Sequence, residues 1–162
     1  MLAEVRSACW GGMPARPGHF PVLRQGQHPV LDQALSAAAV RPEDVDMAYL
    51  SGCGDPQHDA MELAYIADTF GPHGPLLTSV THLTGEYGGL GTFRVAAAAT
   101  TVRQGISPTL DYLRQPIRTD VRFAVRPVAP PPTVVLVHGL APGGVHTAIL
   151  IGRLHDASDV AE

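Results

Sequence analysis

The side chains best suited to bond-making chemistry in this sequence are Ser51, Cys53, His82, Glu86, His138 and His146. Ser51 and Cys53 flank Gly52 in the turn SGCG, which follows an apolar run, and such a turn can present a nucleophile. With an imidazole as base and Glu86 as orienting carboxylate, either would make a repurposed acyltransferase or thioester hydrolase. No base stands beside Cys53 in sequence, so its simplest role is that of a small residue filling a tight turn. His138 and His146 flank the Gly-rich segment GLAPGG, and His82 follows Thr81 in a separate loop. Converging imidazoles can bind a metal, but hydrogen bonding within a core is their commoner use, and no metal or cofactor is expected. Gly143 and Gly144, after Pro142, would let a turn take positive φ and bring backbone close to a ligand or another loop; hairpin geometry alone would also account for them.

The chain around these residues has 162 residues, 45% hydrophobic and 16% charged. That length suits one domain hiding about 70% of its unfolded surface, and the composition excludes disorder. Apolar runs break well short of the ~20 residues that cross a bilayer, so no membrane association is expected. The eleven basic residues, all Arg, face fifteen acids for a net charge of -4, which argues against nucleic acid as a partner. Cys9 and Cys53 are too few for a disulfide framework, and MLAEVRSACW lacks the basic and apolar regions of a signal peptide. A cytoplasmic location is the expectation.

Periodicity predicts a strand in MLAEVRSACW, a loop in GGMPARPGHFP, a helix from Pro29 and a strand from Val45 to Leu50. A helix from Asp55 to Phe70 has Asp at its start, Pro in its first turn and Gly71 just past its end. PLLTSV reads as a short strand, and Gly88 to Gln104 as a helix apolar almost all round, which must be covered on most sides. Further strands are predicted at Asp120–Val125, Thr133–His138 and Val145–Arg153. This order suits an α/β domain over 1–155, a mixed sheet with helices on both faces closed by an antiparallel hairpin, with 156–162 a polar tail. Trp10, Tyr49, Tyr65 and Phe93 are expected to pack in the core or at an interface. Arg114, Arg118, Arg122 and Arg126 form a solvated face or a dock for an acidic protein partner.

Five segments, in order, resemble the C-terminal half of the β-ketoacyl synthases of the thiolase superfamily. PEDVDMAYLSG is similar to the stretch ending in a His-Gly-Thr turn, and DPQHDAMELAYIADTFG to the acidic helix after it. TSVTHLTGEYGGLG resembles the Lys-Ser-x-x-Gly-His loop, RQGISPTLDY the Gly-x-x-Pro-Pro-Thr segment, and LAPGGVHTAILIGR the closing Gly-Phe-Gly-Gly-Thr-Asn hairpin. The resemblance implies half of a thiolase-like fold.

It also implies an altered site. The family's two carbonyl-polarising histidines fall on Ser51 and Glu86, the loop Lys on Thr81, the gating Phe on Pro142 and the motif Asn on His146. An ionised carboxylate at 86 would repel an enolate or oxyanion, so no catalytic residue is expected. The pocket residues would be Ser51, Cys53, Thr81, His82, Glu86, His138, Pro142, Gly143, Gly144 and His146. The nearest pattern is that of chain-length factors, the ketosynthase-like partners in type II polyketide synthases. The implied role is a noncatalytic subunit of a bacterial polyketide or fatty-acid-like synthase. Its partner would be a ketosynthase or an N-terminal-half-like subunit covering the apolar helix, with an acyl carrier protein or a second copy of the chain as further partners.

Overall fold

The computed structural model describes residues 2–16, 19, 21, 26, 28–86 and 89–154. The expected polar tail lies outside them, as does part of the loop after the first strand. In chain order the elements are β1 (Glu4–Gly12), α1 (Pro29–Ala37), a 3-10 turn (Pro42–Asp44), β2 (Met47–Tyr49), α2 (Pro56–Phe70), β3 (Leu76–Thr78), α3 (Thr81–Thr84), α4 (Leu90–Gln104), β4 (Arg122–Phe123), β5 (Val134–Leu140) and β6 (Val145–Gly152). The strands form one mixed sheet in the order β1-β6-β5-β2-β3-β4. β5, β2, β3 and β4 run parallel to one another, while β6 is antiparallel to both β1 and β5.

Local chemistry sets these boundaries. α2 begins where the Asp55 carboxylate accepts from the N–H groups of Gln57 and His58, with Pro56 in the first turn, and ends at Gly71, whose φ is 68°. Such caps satisfy amides and carbonyls that the helix itself leaves without partners. β2 starts later than the apolar run from Val45 suggests because Asp46 has another task. Its carboxylate accepts from Thr133 N and Oγ1 and from Val134 N, pinning the start of β5 beside β2.

Helices cover both faces of the sheet. On one, Leu31, Ala34, Leu63 and Ile66 of α1 and α2 pack on Ala48, Leu77, Leu136 and Leu150. On the other, Leu90, Ala98 and Val102 of α4 pack on Met47, Tyr49, Val135 and Ile151. Tyr49 and Tyr65 are core residues, as expected. Trp10 and Phe93 are not: within this chain Trp10 is 81% and Phe93 43% exposed. β1 is the outermost strand, and Trp10 pairs with Thr147 on the side of the sheet that carries α4. α4 presses one stripe onto the sheet, Leu90, Arg94, Ala98, Thr101 and Val102, and leaves Phe93 and Ala96 facing outward. Beside it, Val5 and Val145 are also more than half exposed, at 59% and 52%. The helix that looks apolar all round is therefore covered on one side only, and the bare strip continues across β6 and β1.

The β5–β6 turn takes the glycine geometry its sequence suggests. Gly143 and Gly144 both have φ of 87°, and Gly144 is pressed against the loop after β1, where Met13 N donates to its carbonyl at 2.8 Å. A Cβ on Gly144 would lie 1.9 Å from Met13 O, whereas one on Gly143 would meet nothing within 4 Å. Gly143→Ala should thus cost only backbone strain, about 1–2 kcal/mol, and Gly144→Ala distinctly more, because the Met13 backbone must also move. Urea unfolding midpoints of the two variants check this ordering.

Candidate functional site

An open cleft of about 450 Å³ lies between the turn after β2, the N-terminal end of α4 and the β5–β6 hairpin; Ser51, Cys53, His58, Glu86, Arg94 and Pro142 are among its lining residues. Ser51 lies two residues past β2 and is held through its N–H, carbonyl and hydroxyl. Its N–H donates to both carboxylate oxygens of Glu62 at 3.1 and 3.0 Å. Its carbonyl accepts from the Thr81 hydroxyl at 2.6 Å and the Ser79 hydroxyl at 3.2 Å. Its Oγ accepts from Arg94 Nη1 at 3.0 Å. A guanidinium cannot take a proton from serine, so this hydroxyl is positioned without being activated. Arg94 also donates to the carbonyl of His138 at 2.9 Å, so a buried cation from α4 bridges the ends of β2 and β5.

Beneath this floor lies a buried polar chain. His138 Nδ1 donates to Glu62 Oε1 at 2.7 Å, and His138 Nε2 lies 2.8 Å from His146 Nε2, so one proton is shared between the two imidazoles. His146 Nδ1 has no hydrogen-bond partner. Burial first, and then the neighbouring His138, drive His146 down from 6.5 to about 3, against the pull of Glu62. For Glu62 burial works upward, but the bond and charge of His138, the Ser51 N–H and the His58 charge outweigh it and hold the carboxyl below its usual value. Tyr65 packs against both imidazoles and against His28, with ring centroids 4.7, 5.9 and 4.4 Å away. His28 in turn bonds to Asp68.

A third cluster forms where the turn folds back over the first turn of α2. Cys53 Sγ lies 3.3 Å from His58 Nδ1 and 3.7 Å from Asp59 Oδ1, and the latter two atoms are 3.3 Å apart. Burial, partly opposed by an Asp55 backbone hydrogen bond, combines with the charges of Asp59 and Glu62 to push the Cys53 thiol up. For His58 burial works downward but is outweighed by Asp59, Glu62 and the Leu140 carbonyl, which together raise it.

The structure thus separates the residues that sequence reasoning grouped. Ser51, Cys53, Glu86 and Pro142 line the cleft, with Glu86 exposed at its rim. Thr81 sits behind Ser51, and His82 turns away to pack on Tyr112 with ring centroids 4.8 Å apart. His138 and His146 do meet, but fully buried on the α2 side of the sheet, because alternate residues of a strand point to opposite faces and Val137 takes the side facing α4. Gly143 and Gly144 shape the hairpin. In the arginine run, Arg118 pairs with Asp120, Arg114 bonds to Asp111 O and Arg122 to Gly74 O. Sequence reasoning missed His58, Glu62 and Arg94. The first two stand four apart on α2, hence on one face of it, and that spacing was the available signal. It also found no base for Cys53, which His58 supplies from the next turn of chain.

His146 makes stability proton-linked. Its folded-state value lies below its unfolded one, so between 6.5 and about 3 the unfolded chain binds a proton that the folded chain refuses. Stability is complete above the unfolded value and falls as pH drops through that window, by an amount on the order of a few kcal/mol. His146→Gln should flatten this acid slope, read from urea midpoints at pH 7, 5 and 4.

Residues 3–112 match the family described as the beta-ketoacyl synthase, C-terminal domain. The chain is 37% identical over 76 residues to the tetracenomycin polyketide synthase ketoacyl synthase beta subunit of Streptomyces glaucescens, covering 46% of this chain and 19% of that protein. It spans 33% of the length of a Streptomyces coelicolor relative to which it is 28% identical over 142 residues, or 84% of this chain. The ishigamide ketosynthase/chain length factor superposes with a TM-score of 0.79 at 22% identity, over 95% of this chain and 38% of that one. A ketosynthase complex with a type II PKS acyl-carrier protein gives 0.82 at 19% identity, over 95% and 39%. The family match and these superpositions agree: the chain has the thiolase-type fold of the ketosynthases and belongs to the beta-ketoacyl synthase C-terminal domain family.

Proposed function

We propose that the chain acts as a noncatalytic, chain-length-factor-like component of a bacterial type II polyketide synthase, completing or stabilising a ketosynthase complex and shaping its acyl cavity. The observation that carries this reading is the chemistry of the cleft. Ser51 Oγ faces the Arg94 guanidinium, Glu86 sits exposed at the rim, and the imidazoles of His138 and His146 are sealed beneath the floor. Decarboxylative condensation needs hydrogen-bond donors aimed at a developing oxyanion, and a rim carboxylate opposes that charge. The names of the relatives support the pathway: a polyketide ketoacyl synthase beta subunit and a ketosynthase/chain length factor.

The occupant of the bare face follows from the same reading. Phe93, Trp10, Val5 and Val145 form an apolar strip along α4 and the adjoining sheet, and a complementary ketosynthase-like half of the thiolase-type fold is the polypeptide whose own central helix would fit against α4. Desolvating such a strip is favourable by about 25 cal/mol per Å², and exposed aromatic side chains such as Trp10 and Phe93 are the anchors expected of a stable interface.

Trp10 is the one tryptophan of the chain and so reports on this contact. On co-expression with a ketosynthase, intact-complex mass measurement should give a defined heteromer, and Trp10 emission should shift to the blue. The double variant Trp10→Glu, Phe93→Glu should weaken that complex at least tenfold, which is about 1.4 kcal/mol. Ser51→Ala and Glu86→Gln made separately should leave product flux within about twofold. Unaided turnover of an acyl thioester, a homodimer in place of the heteromer, or undiminished binding by the double variant overturns the proposal.

A further inference from the structure

The turn from Ser51 to Asp55 and the start of α2 bring a thiol, an imidazole and a carboxylate to one point outside both the Ser51 anchor and the buried Glu62–His138–His146 chain. We propose that Cys53, His58 and Asp59 bind a zinc-class divalent ion through Sγ, Nδ1 and Oδ1, leaving a fourth coordination position for solvent or a further ligand. This assignment is independent of the synthase role.

The geometry is that of a coordination triangle. The Sγ–Nδ1, Nδ1–Oδ1 and Sγ–Oδ1 separations are 3.3, 3.3 and 3.7 Å. Tetrahedral zinc with a Zn–S bond of about 2.3 Å and Zn–N and Zn–O bonds of about 2.1 Å sets the corresponding edges at about 3.6, 3.4 and 3.6 Å. The three donor separations are therefore within a few tenths of an ångström of the edges that a tetrahedral ion requires.

The surroundings orient each donor as supporting groups do in zinc sites. His58 Nε2 donates to Leu140 O at 3.0 Å, which turns Nδ1 toward Cys53 and Asp59. The Asp59 carboxylate is fixed by Cys53 N on Oδ1 and Gly54 N on Oδ2, both at 3.1 Å, leaving a further lone pair on Oδ1. Gly52 and Gly54, with φ of 51° and 82°, fold the turn so that Cys53 lies over the start of α2. The Asp55 cap holds that end of the helix through Gln57 N and His58 N. His58 is buried while Cys53 and Asp59 are half-buried, so donors are shielded but reachable, and Cys53 and His58 both border the cleft.

The charges balance. A thiolate, a carboxylate and a neutral imidazole carry two negative charges against the two positive charges of the ion. Binding displaces the protons that Sγ and, when the ring is charged, Nδ1 hold, and these leave to solvent. No electron is transferred. Carboxylate, imidazole and thiolate together favour a borderline-soft ion over calcium or magnesium, which take oxygen donors.

The full chain, dialysed against a chelator, is titrated with zinc chloride by calorimetry and separately with cobalt chloride by absorption. The expected result is one equivalent of zinc per chain and, with cobalt, a thiolate-to-metal charge-transfer band in the near ultraviolet. Cys53→Ser, which changes a single atom at a half-buried position, should erase that band and lower zinc affinity at least tenfold. His58→Gln should do the same, but it also disturbs the bond to Leu140, so the serine variant with an unchanged circular dichroism spectrum decides. Zinc should also slow alkylation of Cys53 relative to Cys9, the chain's other cysteine. Absence of stoichiometric uptake, a cobalt complex without the charge-transfer band, or zinc affinity in folded Cys53→Ser within about twofold of wild type overturns the site.

Discussion

The architecture hangs on one buried anion. Glu62 is 1% exposed, and a carboxylate so far from water is tolerable only when its lone pairs are fully engaged. Its partners come from three places: the Ser51 and Gly52 amides at the end of β2, the His138 imidazole on β5, and through that imidazole His146 on β6. Four elements thus meet at one charge contributed by α2. Arg94 answers from the opposite side of the sheet, binding the Ser51 hydroxyl and the His138 carbonyl. The result is a rigid polar knot at the carboxyl ends of the parallel strands, the place where an open α/β sheet ordinarily presents ligands.

That knot commits Ser51, Glu62, Arg94, His138 and His146 to one another. Ser51 is anchored through its N–H, carbonyl and hydroxyl, and the two imidazoles share a proton under the floor. What remains available at the surface is of a different kind: an apolar strip along α4 and β1, and a compact donor triangle on the turn. One suits a macromolecular neighbour, the other a small cation.

The fold was largely readable from sequence because its signals are local. Asp55-Pro56 and Gly71 bracket α2, Gly105 stops α4, and two apolar segments on either side of GLAPGG mark the closing hairpin. Two features lay beyond that reach. Whether Trp10 and Phe93 are covered depends on how far α4 extends over the sheet, a matter of packing rather than of pattern. Which face a histidine takes depends on strand register: a slip of one residue would have turned His138 toward α4. The resemblance points to Ser51 and Glu86 as the family's histidine positions, but their surroundings, Arg94 for one and open solvent for the other, follow from tertiary placement. His58 shows the same limit, since a base five residues away along a bent turn leaves no periodic trace.

The two margins of the sheet differ in a way that bears on self-association. β4 is two residues long, too brief to template a neighbouring strand. β1 offers nine residues at the opposite margin, but its ladder with β6 is interrupted between Val5 and Ser7, next to the ion pair of Arg6 with Glu4. Irregularity and charge at an open border are the usual guards against fibril-like stacking. The sheet is thus protected from lateral polymerisation at one end by brevity and at the other by a kinked, charged selvage.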